Sequence, residues 1–329
     1  MKDLQEWEVF RSAYHTLSLT RTAAELGIAT NVASARLLAL ERRLGRALFN
    51  RSTRPFQPTA AAHAVIRDVE AMLNAGHHVE RWFLEKAGED SAVIRVMIGN
   101  GFRRFITQLV TRYADEHPNL RFNMIAPIDT SEFLSEKADV IAVSGSTDLP
   151  DCVMVPRGRM IFVPVASPEY LEARGPLDEP DDLDGHHVYS NLYANRYSLS
   201  VTYPLMKDGR IITCTRQEQI RWSSVDIALE AVRNGLGMGL TMPLYACIDD
   251  LESGRLVPVL NGWHRPSQPN WLACRRDDWN IAHLRKFVQW LAAEMALHET
   301  ACERRFATLF GEDRLQEYAS GSWDGTSAA

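Results

Sequence analysis

Between Thr30 and Arg54 the chain carries side chains suited to reading a nucleic-acid duplex. Thr30, Asn31, Ser34 and Leu38 recur at helical steps, so a helix would turn them outward on one face. An asparagine amide can pair with both edge groups of adenine in the major groove, and Arg36 adds a cation to the same helix. Arg51 and Arg54 bracket a short turn from which guanidinium groups could reach phosphate or the minor groove. Catalytic chemistry finds no comparable set. Gly-x-Ser-x-Gly, Gly-x-x-x-x-Gly-Lys and His-Glu-x-x-His are all missing from the sequence. Gly235, Gly237 and Gly239 fall between an expected helix and an expected strand, the reverse of the order in a dinucleotide loop. Cys152, Cys214, Cys247, Cys274 and Cys302 are widely spaced, without a Cys-x-x-Cys pair, and read as small buried hydrophobes. No catalytic residue, cofactor or metal ligand is expected.

The elements that must position the first set are legible in the apolar spacing. Leu4, Trp7, Phe10 and Tyr14 give a first helix with one buried face. Ser18 is a suitable N-cap for a second helix over Leu19–Leu26, ended by Gly27. A third helix is expected from about Thr30 to Leu44, with Val32, Ala33, Leu37 and Leu40 inward and Gly45 at its C-terminal cap. Two helices joined by a short glycine-containing turn form a helix-turn-helix, whose second helix enters the major groove. Leu48–Thr59 then reads as two short strands around the basic turn, a wing. The formal charge of the chain is −6, but residues 1–60 carry +4 and the remainder −10. A basic head on an acidic body can lay one face on phosphate while the rest stays in solution.

Thr59 opens a proline-free helical stretch over Ala60–Lys86. Ile66, Val69, Leu73, Gly76, Val79 or Glu80, and Phe83 follow alternating three- and four-residue steps, the pattern of a seam between two subunits. Ile66, Val69, Leu73 and Phe83 are the expected dimerisation residues, along a helix roughly 40 Å long at 1.5 Å per residue. Gly88–Ser91 is the expected hinge after it. Beyond residue 92 short strands alternate with helices: Val93–Ile98, Phe102–His117, Leu120–Ala126 and Asp139–Val143. Such alternation implies a parallel sheet with crossover helices. At 329 residues the chain has length for two or three units, with 46% hydrophobic residues to build cores. No apolar run is long enough to span a bilayer or to act as a signal peptide, so a cytoplasmic protein without a membrane partner is expected.

The N-terminal register resembles that of the LysR-type transcriptional regulators. Phe10, Ser18, Ala23-Ala24-Glu25-Leu26, Ser34, Leu37, Leu40-Glu41, Leu44-Gly45, Leu48-Phe49, Arg51, Arg54 and Thr59 match in one unbroken frame. Further matches are Ser167-Pro168-Glu169-Tyr170-Leu171, Leu183–His186, Trp222–Leu240 with Met242-Pro243, and Gly254–Val257. They carry the resemblance to about residue 297. Two departures stand out. Ala29-Thr30-Asn31 replaces the family's usual Ser-Gln-Pro, and Ala35 replaces an arginine often found after the serine.

The resemblance implies a mixed α/β chain with an all-α, winged N-terminal domain. A winged helix-turn-helix (residues 1–59) would be joined by a dimerisation helix (60–88) to an effector domain (92–297) with two periplasmic-binding-protein-like lobes. Lobe I would hold about 92–165 and 267–297, and lobe II about 166–266. Strand ends and helix starts suit a small carboxylate, so Asn100, Gly101, Phe102, Arg103, Ile128, Asp129, Ser144, Ser223, Ser224 and Met242 are the expected effector contacts. Partners would be double-stranded promoter DNA, a small-molecule effector and further copies of the chain, as a dimer or tetramer. The alternative is a small-molecule-binding protein or enzyme on the same lobes, with a weakened DNA-binding head. Residues 298–329 exceed the family's usual end and read as one more amphipathic helix and a disordered tail.

Overall fold

The structure, a computed structural model, describes residues 2–50, 56–86, 92–98, 103–125, 138–145, 149, 151–189, 200–217, 220 and 224–321. It divides into two compact units, one up to Ala92 and the other built on the described residues from Val93 onward.

In the first unit α1 (Lys2–Thr16), α2 (Leu19–Glu25) and α3 (Thr30–Leu44) precede the strands β1 (Phe49–Asn50) and β2 (Gln57–Pro58), and α4 (Ala60–Lys86) follows. Ser18 caps α2 as expected, its hydroxyl accepting from the Arg21 N–H at 3.4 Å. Gly45 closes α3 in the left-handed region at φ 65°, where a side chain would be strained. The core gathers Val9, Phe10 and Ala13 of α1, Ala23 of α2, Ala33, Leu37 and Leu40 of α3, and Leu48 and Phe49 of the wing stem. Phe49 stacks on Phe56 across the wing at 4.3 Å between ring centroids. Val32, expected inside, is instead 37% exposed, because it lies outside the arc covered by α1 and α2.

The same core also contains Ala62, Ile66, Val69 and Leu73 of α4. This corrects the seam expected at Ile66, Val69 and Leu73, which are at most 7% exposed within a single chain. Spacing alone does not show whether a core of the same chain lies beside this helix. In fact α1, some fifty residues upstream, packs along its first turns, with Tyr14 bonded to His63 at 2.7 Å and His15 to Glu70 at 2.8 Å. The side chain of Phe83 lies outside the described residues. Among the described side chains of α4, Met72 is 39% and Val79, one of the seam alternatives, 53% exposed, with Val65 half-buried.

Among the described residues the second unit holds a five-stranded sheet, a four-stranded sheet and a two-stranded hairpin. The first has strand order β4-β3-β5-β13-β6, formed by β3 (Ala92–Met97), β4 (Leu120–Ile125), β5 (Val140–Ser144), β6 (Cys152–Met160) and β13 (Gln268–Arg275). β3 and β5 are parallel as expected, but β13 enters antiparallel between β5 and β6, so the sheet is mixed. Helix α5 (Arg103–Glu116) covers it, with Ile106, Leu109, Val110 and Tyr113 in the core.

The second sheet has the order β12-β7-β11-β8, from β7 (Phe162–Ala166), β8 (Val188–Tyr189), β11 (Met238–Pro243) and β12 (Val257–Pro258). Helices α6 (Pro168–Arg174), α7 (Val225–Arg233) and α8 (Leu244–Glu252) accompany it. β9 (Ser200–Lys207) and β10 (Arg210–Gln217) form a separate hairpin turned at Asp208-Gly209, both with positive φ, as a tight hairpin turn requires. The first lobe ends at Met160 and the second begins at Phe162, a few residues earlier than the sequence suggested.

The C-terminal end differs more. In place of a helix ending near residue 297 and a separate extra one, α9 (Ala282–Phe310) runs unbroken for 29 residues, and α10 (Glu312–Ala319) follows Gly311. Continuity here follows from composition, since no glycine or proline interrupts residues 282–310. The expected tail, residues 322–329, lies outside the described residues.

Candidate nucleic-acid interface and effector module

The face of α3 turned away from its core is set by Ala33, Leu37, Leu40 and Glu41, all buried against the head. Opposite them stand Asn31, Ala35 and Arg42, all exposed, with Leu38 half-buried in the same stripe. These four follow an i, i+4, i+7, i+11 rhythm, the outward face of one helix. Thr30 is exposed at its start, whereas Ser34 and Arg36 are half-buried on its two sides. Arg42 was not among the residues singled out from sequence, although the rhythm starting at Asn31 points to it. Its neighbour Arg43 is engaged elsewhere: its Nη2 donates to Glu6 Oε2 at 2.9 Å and its guanidinium lies 5.8 Å from the Trp7 ring.

The helix start is less well capped than the family's usual serine would make it. Ala29 offers no side-chain acceptor, and Thr30 does not replace it. Asn31 does so in part, its Oδ1 accepting from the Val32 N–H at 2.9 Å. The wing is fixed from inside by Glu41, whose Oε1 accepts from the backbone N–H groups of Leu48 at 2.8 Å and Phe49 at 3.2 Å. Thr59 completes the stem, donating to the Ala47 carbonyl at 2.9 Å and accepting from the Ala62 N–H at the start of α4. Arg51 and Arg54, at the wing tip, lie outside the described residues.

In the lobes, Asn100, Gly101, Phe102, Ile128, Asp129 and Ser223 also lie outside the described residues, and of Arg103 only the backbone, opening α5, is described. Ser144 sits at the end of β5 and donates to Asn270 Oδ1 at 2.6 Å. Asn270 in turn donates through Nδ2 to Glu299 Oε1 at 2.9 Å, and Arg157 Nη1 donates to the same oxygen at 2.8 Å. Ser144 therefore begins a buried polar chain that reaches α9.

Ser224 precedes α7 in an extended conformation, 4% exposed, and its hydroxyl has no hydrogen-bond partner among the described residues. A buried hydroxyl left open beside a helix start is what a bound acceptor would satisfy. Met242 is a correction. It is fully buried in the second lobe's core and packs where a side chain at Gly239 would have to go, so it supports the sheet.

The cysteines match the expectation of buried hydrophobes. Cys152, Cys247, Cys274 and Cys302 are buried and Cys214 half-buried, all as free thiols. Burial pushes the Cys152 and Cys302 thiols up to about 11 and Cys274 up to about 12, away from the reactive thiolate. Among the described residues no cluster of His, Cys, Asp and Glu could hold a metal ion, and no helix is long and apolar enough to cross a membrane.

Two family models match successive parts of the chain. Residues 4–63 match the bacterial regulatory helix-turn-helix protein of the lysR family, and residues 87–296 match the LysR substrate binding domain. Among curated relatives, the uncharacterized HTH-type transcriptional regulator YhjC of Escherichia coli is 24% identical over 313 residues, covering 90% of this chain and 98% of the relative. The glycine cleavage system transcriptional activator of Escherichia coli is 22% identical, covering 92% and 97%. Among solved structures, the full-length Vibrio cholerae virulence activator AphB superposes with a TM-score of 0.56 at 20% identity, covering 91% of this chain and 97% of its own. CrgA from Neisseria meningitidis gives 0.52 at 20% identity, covering 92% and 98%. With a matching head, matching lobes and full-length relatives of the same architecture, this chain belongs to the LysR family of DNA-binding, effector-responsive transcriptional regulators.

Proposed function

We propose that this regulator reads its operator through the stripe Thr30, Asn31, Leu38 and Arg42, flanked by Ser34 and Arg36, while Arg51 and Arg54 of the wing engage the backbone or minor groove. The observation that carries the reading is the exposure of Asn31 and Arg42 on one uncovered face of α3, in the basic part of an otherwise acidic chain. Asn31 supplies base-edge readout and Arg42 a phosphate contact. Ala35 contributes a small apolar surface where many relatives place a cation, so contacts at that step rest on shape and methyl packing.

A mobility-shift series across salt concentrations tests the division of labour. Arg42→Ala should weaken binding on all sequences and reduce the slope of log K against log salt by about 1. Asn31→Ala should leave the slope unchanged and relax preference at one base pair, a loss of about 1–3 kcal/mol of discrimination. An unaltered slope in Arg42→Ala removes the phosphate assignment.

The effector is proposed to be a small organic anion, bound between the lobes near Asn100–Arg103, Ile128–Asp129, Ser144 and Ser223–Ser224. The open hydroxyl of Ser224 at the start of α7 supports this, since it offers a donor beside helix N–H groups. A calorimetric screen of small carboxylates against the parent and Ser224→Ala tests it.

The chain is further proposed to act as a homo-oligomer paired through α4, by the stripe Val65, Met72 and Val79. Met72 and Val79 are exposed in one chain and Val65 is half-buried at the edge of the head core, whereas Ile66, Val69 and Leu73 are buried within it. Met72→Asp should then separate subunits in sedimentation and leave the head folded. Leu73→Asp should instead unfold the head, because it places a charge in its core. Unchanged assembly in Met72→Asp would move the interface to another face.

A further inference from the structure

The described chain continues 25 residues beyond the segment matched by the substrate-binding-domain model, and this extension is tied into the structure on all sides. Helix α9 passes from one lobe to the other without a break. Its first half supplies Leu284, Phe287, Val288, Leu291, Ala292 and Met295 to the core of the first lobe. Its second half supplies Cys302 and Phe306 to the core of the second, where Leu315 and Tyr318 of α10 join them. Arg305 pins this half to α8 through Glu252 at 2.7 Å and Asp249 at 2.6 Å.

The two lobes are otherwise joined by two crossings, Met160–Phe162 and the segment leading into Gln268. These run side by side, with Met160 paired to Gln268. Each is fastened to the extension. Arg159 donates to the Ala319 carbonyl at 2.6 Å, and Ser267 donates to the same carbonyl and to that of Gly321, both at 2.9 Å. Upstream on the same strand the buried Arg157 grips Glu299. The fully buried Tyr318 lies against His264 beside the second crossing.

Motion between lobes needs a few residues at the crossings to absorb changes in φ and ψ. Here those residues are flanked by side chains bonded to a third, helical connection that cannot bend without losing its own hydrogen bonds or pulling Phe306 and Tyr318 out of the core. We propose that residues 298–321 form a clasp across the hinge, which holds the two lobes in one arrangement and must loosen before they can move. The end of α10 suits this use. Its last carbonyls receive a guanidinium and a hydroxyl from the two crossings, a bond set that can open without unfolding either sheet.

The test uses the full-length chain in a Cys214→Ser background, leaving the four buried cysteines. Spin labels are placed at Asp115→Cys on the first lobe and Glu172→Cys on the second, both exposed positions, and labelled chain is diluted into unlabelled chain so that distances within one chain dominate. The parent should give one narrow distance distribution. The variant Arg159→Ala/Ser267→Ala/Arg305→Ala removes the polar fastenings and keeps the apolar contacts. The buried Arg157–Glu299 pair remains in it, near the first-lobe end of the extension. The variant should broaden the distribution or add a shifted population, with unchanged helix content. Deletion of residues 298–329 should do the same, but it strips apolar cover from the second lobe, so the substitution variant decides. A narrow, unshifted distribution in that variant overturns the clasp.

Discussion

Arg157→Leu should lower the stability of the second unit, by about 3–5 kcal/mol at a pH where the parent's Glu299 is ionised, because it leaves that carboxylate buried without its counter-charge. Arg157 and Glu299 are 2% and 4% exposed, joined at 2.8 Å, so water cannot take over the missing partner. Burial already pushes the Glu299 carboxyl up to about 8, against the downward pull of Arg157 and the Asn270 amide. Removing Arg157 strengthens that push. A carboxyl that holds its proton in the folded state up to pH 8, and in the unfolded state only to its ordinary value near 4.5, makes the folded state bind more protons between them. Stability then falls as pH rises through this window. That fall is common to parent and variant, so the loss specific to Arg157→Leu should be smallest below pH 8, where Glu299 holds its proton in both, and should grow above pH 8, where only the parent's carboxyl ionises. Calorimetry of the full chain reads it, with the transition of the N-terminal head as internal reference. The double variant Arg157→Leu/Glu299→Leu should recover most of the loss, since two apolar groups leave no buried charge. Equal losses in the single and double variants would mean that packing at Arg157, and not its charge, holds the site.

This pair explains much of what the sequence could and could not reveal. Arg157 and Glu299 are 142 positions apart, and no local pattern links an arginine on an expected strand with a glutamate on an expected helix. Only the insertion of β13 between β5 and β6 brings Asn270 to bridge them, and that antiparallel return is a tertiary fact. Ser144 was singled out as a strand-end hydroxyl and does sit at a strand end. That its proton is directed to Asn270 depends on the same insertion.

Local signals were read more faithfully. Ser18, Gly45 and Thr59 bound their helices as a cap, a left-handed stop and a cap because each works through backbone groups two to four residues away. The seam on α4 shows the limit of periodicity. Ile66, Val69 and Leu73 do form one apolar face, but an apolar face does not say whether its cover comes from another subunit or from α1 of the same chain. Met242 failed for a similar reason, since a residue near a family landmark can as readily support the sheet as face a ligand.

Glu41→Ala should be the most damaging single change in the DNA-binding head outside its apolar core. The carboxylate is 8% exposed and accepts from the N–H groups of Leu48 and Phe49 at the point where the chain leaves α3 for the wing. Both residues are buried at 2% exposure, so alanine would strand two donors away from water. At about 1–3 kcal/mol for each unsatisfied buried group, less what relaxation recovers, the loss should be roughly 2–4 kcal/mol. A head of this size has on the order of 5–10 kcal/mol in all, so the variant should melt well below the parent. Glu41→Gln keeps an acceptor oxygen of the same reach and should lose no more than about 1.5 kcal/mol, the difference between a charged and a neutral acceptor. The consequence for function follows from geometry. Among the described residues β1 and β2 pair through Phe49–Pro58 and Asn50–Gln57, so this stem has little else to hold it once Glu41 is gone. In Glu41→Ala operator affinity should therefore fall even at temperatures where α1 to α3 remain helical by circular dichroism, and, if Arg51 and Arg54 contact DNA as proposed, it should fall most at low salt. Parent-like melting together with parent-like operator affinity in Glu41→Ala would show that the wing is held by the Phe49–Phe56 stack and the Thr59 bonds alone.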